Sequence, residues 1–267
     1  MSSEEIVLKP LNKAIKWLDS FFNDDTTYYA ASLSFFTIFS ILPIIALIIS
    51  VISNLPQFED YVEIFIQYIF EMMNPTHSKQ FVTQIMGFIS NSNKLGFIGT
   101  IYMLFVFTMF FKDYEYVVNK IHQAKRKSLY ASFFFYLSMM IVLPIIFAIY
   151  LLTISLLDNT FFDFVITFLY VWLIFFFLFK FTVNKTIQNK AAFISSFLTL
   201  ITLSITKNLF VYYVTYNKTY TTLYGSLATL LFFFLWIYIS WIIYLYGVKL
   251  CHKLNIEEVI VMPDSIE

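Results

Sequence analysis

A lysine lies inside a stretch that otherwise has the composition of a membrane-spanning helix, LSITKNLFVYY over residues 203–213. An ammonium group is costly inside a bilayer, so such a lysine usually faces a bundle interior or a wet cavity and pairs with an anion. Side chains lean toward the N-terminus of their helix, and the topology derived below runs this helix outward. We therefore predict that Lys207 leans toward the bilayer centre and faces the interior, with Ser204 one turn below it. Snorkelling of the amine to the outer headgroups is the alternative.

Lys207 needs a negative partner, which is either an anionic ligand or an acidic side chain of the chain itself. The acidic candidates are Glu63, Asp113, Glu115 and Asp158. A stripe of hydroxyl groups runs beside the lysine on the same predicted helix, made by Ser195, Thr199, Thr202 and Thr206.

The first apolar segment, YYAASLSFFTIFSILP at residues 28–43, carries a second hydroxyl stripe. Ser34, Thr37 and Ser40 are three residues apart, which places them along one face of a helix. Pro43 lacks an N–H and clashes with the carbonyl of Phe39, which predicts a kink. The stripe either lines a polar cavity or is a packing face of small residues, and the sequence leaves both open.

Two aromatic residues with polar groups, Trp236 and Tyr238, fall near the middle of the last apolar segment. Their N–H and O–H groups need hydrogen-bond partners at that depth. They either pack with those bonds satisfied or line the same cavity as Lys207.

The chain lacks the common catalytic motifs for phosphate, dinucleotide, zinc-protease or serine-hydrolase chemistry. His77, His122 and His252 are scattered over predicted loops and a tail, so we expect no convergence on a metal. Membrane topology alone explains the basic run at residues 125–127. The sequence therefore predicts no enzyme activity, no metal, no cofactor and no nucleic-acid partner.

The elements that must position these residues are membrane helices. The chain has 267 residues, of which 60% are hydrophobic and 13% charged, with net charge zero and a mean hydropathy of +0.76. A soluble domain needs more polar surface than this. The single cysteine, Cys251, excludes an internal disulfide. No signal-peptide pattern begins the sequence, so we expect the first span to act as an uncleaved signal.

The predicted fold is an all-α polytopic membrane protein with six spans, because each apolar run is long enough to cross a bilayer. The expected organisation is an amphipathic segment 1–28, a transmembrane domain 29–250 and a tail 251–267. Residues 4–22 form an amphipathic helix that lies on the membrane or packs on the protein. The outer loop 54–94 holds short amphipathic helices. The spans are 29–53, 95–111, 130–156, 161–181, 191–214 and 222–250.

Lysine and arginine set the orientation. With the N-terminus inside, inner segments hold thirteen of the 17 cations and outer segments hold only Lys79, Lys94 and Lys218. Lys207 is the remaining one. Both termini are therefore predicted to be cytoplasmic.

Four segments resemble the YihY/virulence factor BrkB family of bacterial inner-membrane proteins, and the resemblance covers nearly the whole chain. They are residues 28–43, EYVVNKI at 115–121, TKNLFVYYV at 206–214 and LYGSLATLLFFFLWIYISWIIYLYGVKL at 223–250. The resemblance implies a multi-pass inner-membrane protein, in a family associated with virulence and envelope lipid export. An old ribonuclease BN label is regarded as a misassignment, and no catalytic cluster here supports it. The residues that match the family pattern are Ser40, Pro43, Glu115, Asn119, Lys207, Tyr224, Gly225, Ser226, Trp236, Tyr238 and Gly247.

The sequence and the resemblance together predict a transporter or flippase-like protein for an anionic amphiphile or lipid. The alternative is a non-transporting scaffold for envelope integrity whose buried polar residues are structural. Membrane lipids are the expected partners, and the oligomeric state is left open. The expected cavity residues are Ser34, Thr37, Ser40, Pro43, Glu115, Asn119, Ser204, Lys207, Tyr213, Tyr224, Trp236 and Tyr238.

Overall fold

The computed structural model describes residues 25–53, 83, 87, 96–125, 128–157, 160–217, 219–225 and 227–261. Within these ranges the regular structure is entirely α-helical. The predicted amphipathic helix at 4–22 and nearly all of the outer loop 54–94 lie outside the described residues. The helices are α1 (Asp25–Ser53), α2 (Gly96–Ile121), α3 (Leu129–Leu157), α4 (Thr160–Phe181), α5 (Asn189–Tyr216), α6 (Thr219–Tyr224) and α7 (Leu227–Val261).

Three helices of the described chain are long and apolar enough to cross a membrane, by length and composition. They are the segments Phe162–Phe181, Asn189–Tyr216 and Leu227–Ile256. The helices α1, α2 and α3 also coincide with predicted spans, but the total of six spans stays a prediction. Large apolar side chains on the helix surfaces, such as Phe134, Phe164 and Leu209, are more than half exposed. That is the surface expected of a helix bundle in lipid.

Two helices extend beyond the predicted spans. The prediction ended the second span at residue 111, whereas α2 continues to Ile121 because one face of its polar extension buries Tyr114 and Val118. The predicted last span, 222–250, is split by Gly225, whose φ of +54° is left-handed and separates α6 from α7. The helix α7 then continues well past residue 250.

The last helix, α7, lies at the centre of the bundle and packs against α5, α1 and α2. Further contacts join α1 to α2, α4 to α5 and α3 to α4. The helices α5 and α7 approach each other closely at Gly247, where an added Cβ would lie 1.9 Å from Thr199 Oγ1. Small residues at helix crossings are the usual means of close packing between membrane helices.

Candidate functional site

The connector between α4 and α5, residues 182–188, is held by side chains from two other helices. Asn119 of α2 accepts a hydrogen bond from the backbone N–H of Asn184 at 2.8 Å and donates one to the carbonyl of Thr182 at 3.3 Å. Asn119 is completely buried. Buried backbone groups require such partners, and here a side chain supplies them.

Asn255 of α7 repeats this arrangement four residues further along the connector. Its Oδ1 accepts from the backbone N–H of Gln188 at 2.8 Å, and its Nδ2 donates to the carbonyl of Thr186 at 3.4 Å. Each asparagine therefore bonds an N–H and a carbonyl two residues apart, which fixes the connector against the ends of α2 and α7.

Glu115 of α2 joins the same group and is 3% exposed. The side-chain amide of Asn184 donates to Glu115 Oε1 at 3.3 Å and to the carbonyl of Lys125 at 2.9 Å. We call this group, with the two histidines described next, the connector cluster. Its members are Glu115, Asn119, His122, Asn184, His252 and Asn255.

The cap at the end of α2 directs the side chain of His122 into the protein interior. Gln123 has a φ of +53°, and the N–H of Ala124 donates to the carbonyl of Asn119 at 2.8 Å, which closes the helix in a left-handed cap. His122 is 1% exposed, and neither ring nitrogen has a hydrogen-bond partner within the described residues. Burial, and to a smaller extent the charges of His252 and Lys185, lowers the pKa of His122 from 6.5 to about 3.

The expectation that the histidines do not converge is wrong for two of them. The rings of His122 and His252 are 5.1 Å apart between centroids and cross at 78°. The reason is that the ends of α2 and α7 meet at the connector, so residues far apart in sequence become neighbours. His77 lies outside the described residues. Among the described residues, no three or more His, Cys, Asp or Glu side chains are grouped to hold a metal.

The hydroxyl stripe of α1 bonds mainly to its own helix. Ser34 donates to the carbonyl of Ala30, Thr37 to that of Leu33, and Ser40 to that of Thr37. The indole N–H of Trp241 on α7 donates to Thr37 Oγ1 at 2.9 Å. These bonds are those expected if the stripe is a packing face. That the stripe lines a polar cavity stays a prediction. The helix α1 runs without interruption through Pro43.

A group of aromatic residues forms the core beneath the connector cluster. The hydroxyls of Tyr114 and Tyr244 are hydrogen-bonded to each other, and both side chains are buried. The rings of Phe111 and Trp241 lie against Tyr114.

The two mid-span aromatics of the prediction occupy different packing groups. Trp236 is 8% exposed and packs with Phe210 and Phe232 between α5 and α7. Tyr238 is partly buried against the main core.

Lys207 is half-buried and has no anionic partner within the described residues. It shares a stripe of α5 with Leu203, Phe210 and Val214, and the latter two pack against α7. Ser204, Tyr213 and Tyr224 are exposed instead.

The structure separates Lys207 from Glu115. Glu115 lies against the connector, while Lys207 is eighteen residues (189 to 207) along α5, about 27 Å at about 1.5 Å per residue. Glu115 is therefore not the partner of Lys207, and neither is Asp113, which is only two residues from Glu115 on the same helix. The other two acidic candidates, Glu63 and Asp158, lie outside the described residues.

The expected cavity residues consequently fall into separate groups rather than one site. Glu115 and Asn119 lie at the connector. Ser34, Thr37 and Ser40 lie on the α1 stripe that Trp241 of α7 contacts at Thr37. Lys207 lies on the part of α5 that is remote from the connector.

The family model for virulence factor BrkB matches residues 17–259. The chain belongs to this family. Its recognition from the sequence is thereby confirmed, and it is a membrane protein. BrkB-family membership by itself assigns no reaction and no substrate.

Two curated relatives are called UPF0761 membrane proteins. One, from Legionella pneumophila (strain Corby), is 26% identical over 104 residues, which are 39% of this chain and 25% of the relative. Another, from Actinobacillus pleuropneumoniae serotype 5b (strain L20), is 25% identical over 118 residues, which are 44% of this chain and 43% of the relative. The aligned part thus spans less than half the length of these relatives. No solved structure is significantly similar to the chain.

Sequence reasoning on this BrkB-family chain missed Asn184, Asn255 and the histidine pair. One signal was present: Glu115, Asn119 and His122 recur at helical spacing at the end of α2, which predicts a polar face. Nothing in the sequence indicates that this face meets a connector starting more than sixty positions later.

Proposed function

We propose that this BrkB-family protein carries an anionic amphiphile, of the membrane-lipid class, across the bacterial inner membrane. Lys207 carries the proposal. It is half-buried on the α7-facing stripe of an apolar helix and has no anionic partner among the described residues. A lysine at such a depth is unfavourable without a negative group, and an anionic headgroup supplies one.

The proposed path follows the outer seam between α5 and α7. Lys207 lies on this seam, and the exposed Ser204 and Tyr213 lie on the adjoining lipid-facing side of α5. An amphiphile keeps its acyl chains in the bilayer while its headgroup moves along polar side chains. In this proposal the bundle has six spans, and the connector end is cytoplasmic.

The test is lipid translocation in proteoliposomes that contain fluorescent phosphatidylglycerol or, for comparison, fluorescent phosphatidylcholine. We expect the wild type to move the anionic lipid faster, Lys207→Met to lose at least about nine-tenths of this activity, and Lys207→Arg to retain part of it. Lys190→Met is the matched control, because Lys190 is an exposed lysine of the same helix. Full activity of Lys207→Met, or equal losses in both lysine variants, would contradict the assigned role.

The alternative is a non-transporting scaffold, and the α1 hydroxyls favour it because they bond to their own helix. In a scaffold, Lys207→Met changes the melting temperature of the detergent-solubilised protein. Added anionic lipid then raises the melting temperature of the wild type and of the variant by the same amount. Wild-type protein that moves neither lipid, together with this equal protection, supports the scaffold over the transporter.

A further inference from the structure

We propose that His122 and His252 form a binding site for a divalent transition-metal ion where the end of α2 meets α7. The site is independent of the proposed transport function and lies at the opposite end of α5 from Lys207. The evidence is the burial of His122, its two unpaired ring nitrogens and the position of the second imidazole.

The unpaired nitrogens are the first step of the argument. Nearly all buried polar side-chain atoms in proteins have a hydrogen-bond partner, and a buried polar group without one is destabilising. His122 has two such atoms and is 1% exposed. A neutral imidazole always offers one nitrogen lone pair, which is the atom that binds a metal.

The second step is the geometry of the pair. Two imidazoles on one tetrahedral Zn²⁺ have ring centroids about 5 Å apart, because each Zn–N bond is about 2 Å and each nitrogen lies roughly 1 Å from its ring centre. The centroids of His122 and His252 are 5.1 Å apart. An edge-to-face contact between two rings without a metal gives a similar distance. The centroid separation is therefore compatible with a metal site, and the unpaired ring nitrogens of His122 are the observation that favours one.

The third step is the choice of ion. Imidazole ligands suit Zn²⁺, Ni²⁺ and Cu²⁺, whereas Mg²⁺ and Ca²⁺ prefer oxygen. No third His, Cys or carboxylate joins the pair within the described residues. The remaining coordination positions therefore go to water, and since His252 is only partly buried, they face the end of the bundle.

The charges around the two histidines allow a test that distinguishes a metal-ion site from an anion site. The ammonium of Lys185 lies near enough to act electrostatically on both histidines, while Glu115 is seven residues earlier on α2, about 10 Å along the axis. Lys185 therefore opposes a cation and would assist an anion. Lys185→Gln is therefore expected to tighten metal-ion binding several-fold. If the site instead binds phosphate, the same substitution would weaken phosphate binding.

The experiment is Co²⁺ and Zn²⁺ titration of the purified full chain in detergent after chelator treatment, followed by Co²⁺ absorption and by calorimetry. We expect one ion per chain, binding weakened at least about tenfold by His122→Ala or His252→Ala, and no change in His77→Ala. Since His122→Ala alters a buried site, His122→Asn and the partly exposed His252→Ala provide variants expected to fold.

Absence of binding by the wild type, or unchanged affinity in folded His252→Ala, would overturn the proposal. A parallel titration with inorganic phosphate separates the two chemistries. Thermal stabilisation by phosphate that Lys185→Gln abolishes, without any response to Co²⁺, would show an anion site and also overturn it.

Discussion

Asn119 and Asn255 act on the connector as a neighbouring β-strand would, because each presents one acceptor and one donor to backbone groups two residues apart. Among side chains that fit such a place, only the carboxamides of Asn and Gln combine a carbonyl acceptor with an N–H₂ donor. An aspartate loses the donor, and an apolar side chain loses both groups. At the residue scale, the connector end is therefore specified by chemistry and not only by shape.

Asn119→Ala tests this specification. The substitution leaves the N–H of Asn184 and the carbonyl of Thr182 without partners at a buried position, and we expect a loss of about 2–3 kcal/mol in stability. The melting temperature followed by tryptophan fluorescence in detergent measures it. Asn208→Ala, at an exposed position of α5, is the matched control and should change stability by less than about 0.5 kcal/mol. Equal melting temperatures for the two variants would contradict the role of Asn119.

Individual residues show which features of the site can be predicted from the sequence and which cannot. Helical spacing predicts correctly that Ser34, Thr37 and Ser40 share a face, because spacing of this kind is local. The partners of Glu115 and Asn119 could not be predicted, because Asn184 is brought to them by the packing of α4 and α5. The same limitation applies to His122, which directly follows α2, and His252, which lies on α7.

At the scale of the helices, hydropathy predicts most boundaries to within a few residues, as for α1, α3 and α4. It fails at α2 and α7, because a helix continues past its apolar run wherever one face still finds a protein surface to bury. Val117 and Val118 of α2 show this, as both are buried beyond the predicted end of the span. The polar extensions of both helices carry the connector cluster.

Gly247→Ala tests the packing of α5 on α7. The added Cβ would lie 1.9 Å from Thr199 Oγ1 and 3.0 Å from Thr199 Cβ, so one helix has to move. We expect a loss of about 2–3 kcal/mol, the usual range for overpacking a tight contact. The melting temperature of the detergent-solubilised protein measures this loss.

A second substitution checks that the clash is the cause. Thr199→Ala removes the hydroxyl and the methyl group but keeps the Cβ, so the double variant should recover part of the loss. Such coupling is expected of residues in direct contact. If Gly247→Ala is no less destabilising with Thr199→Ala than without it, the tight α5–α7 contact is not what requires the glycine.

For the whole molecule, the helices gather lysines at one end. Lys120 lies over the ring of Tyr29 and Lys180 over that of Phe181, both near helix ends, and Lys249 of α7 lies over Tyr246. Lysines beside aromatic rings at helix ends are typical of the membrane interface. The sequence predicted this charge asymmetry but not the central position of α7, because no local pattern shows which helices pack together.

Cysteine accessibility tests the orientation that follows from this asymmetry. Cys251 is buried, so Cys251→Ser provides a cysteine-free background, to which Lys125→Cys at the connector end or Leu223→Cys at the other end is added. Because lysine-rich ends stay in the cytoplasm, a membrane-impermeant maleimide should label the Leu223→Cys protein in intact spheroplasts. The Lys125→Cys protein should be labelled only after the membrane is opened. Labelling of Lys125→Cys in intact spheroplasts, with Leu223→Cys protected, would place the connector cluster outside the cell. The proposed metal site would then meet extracellular ions, and the proposed lipid path would run in the opposite direction.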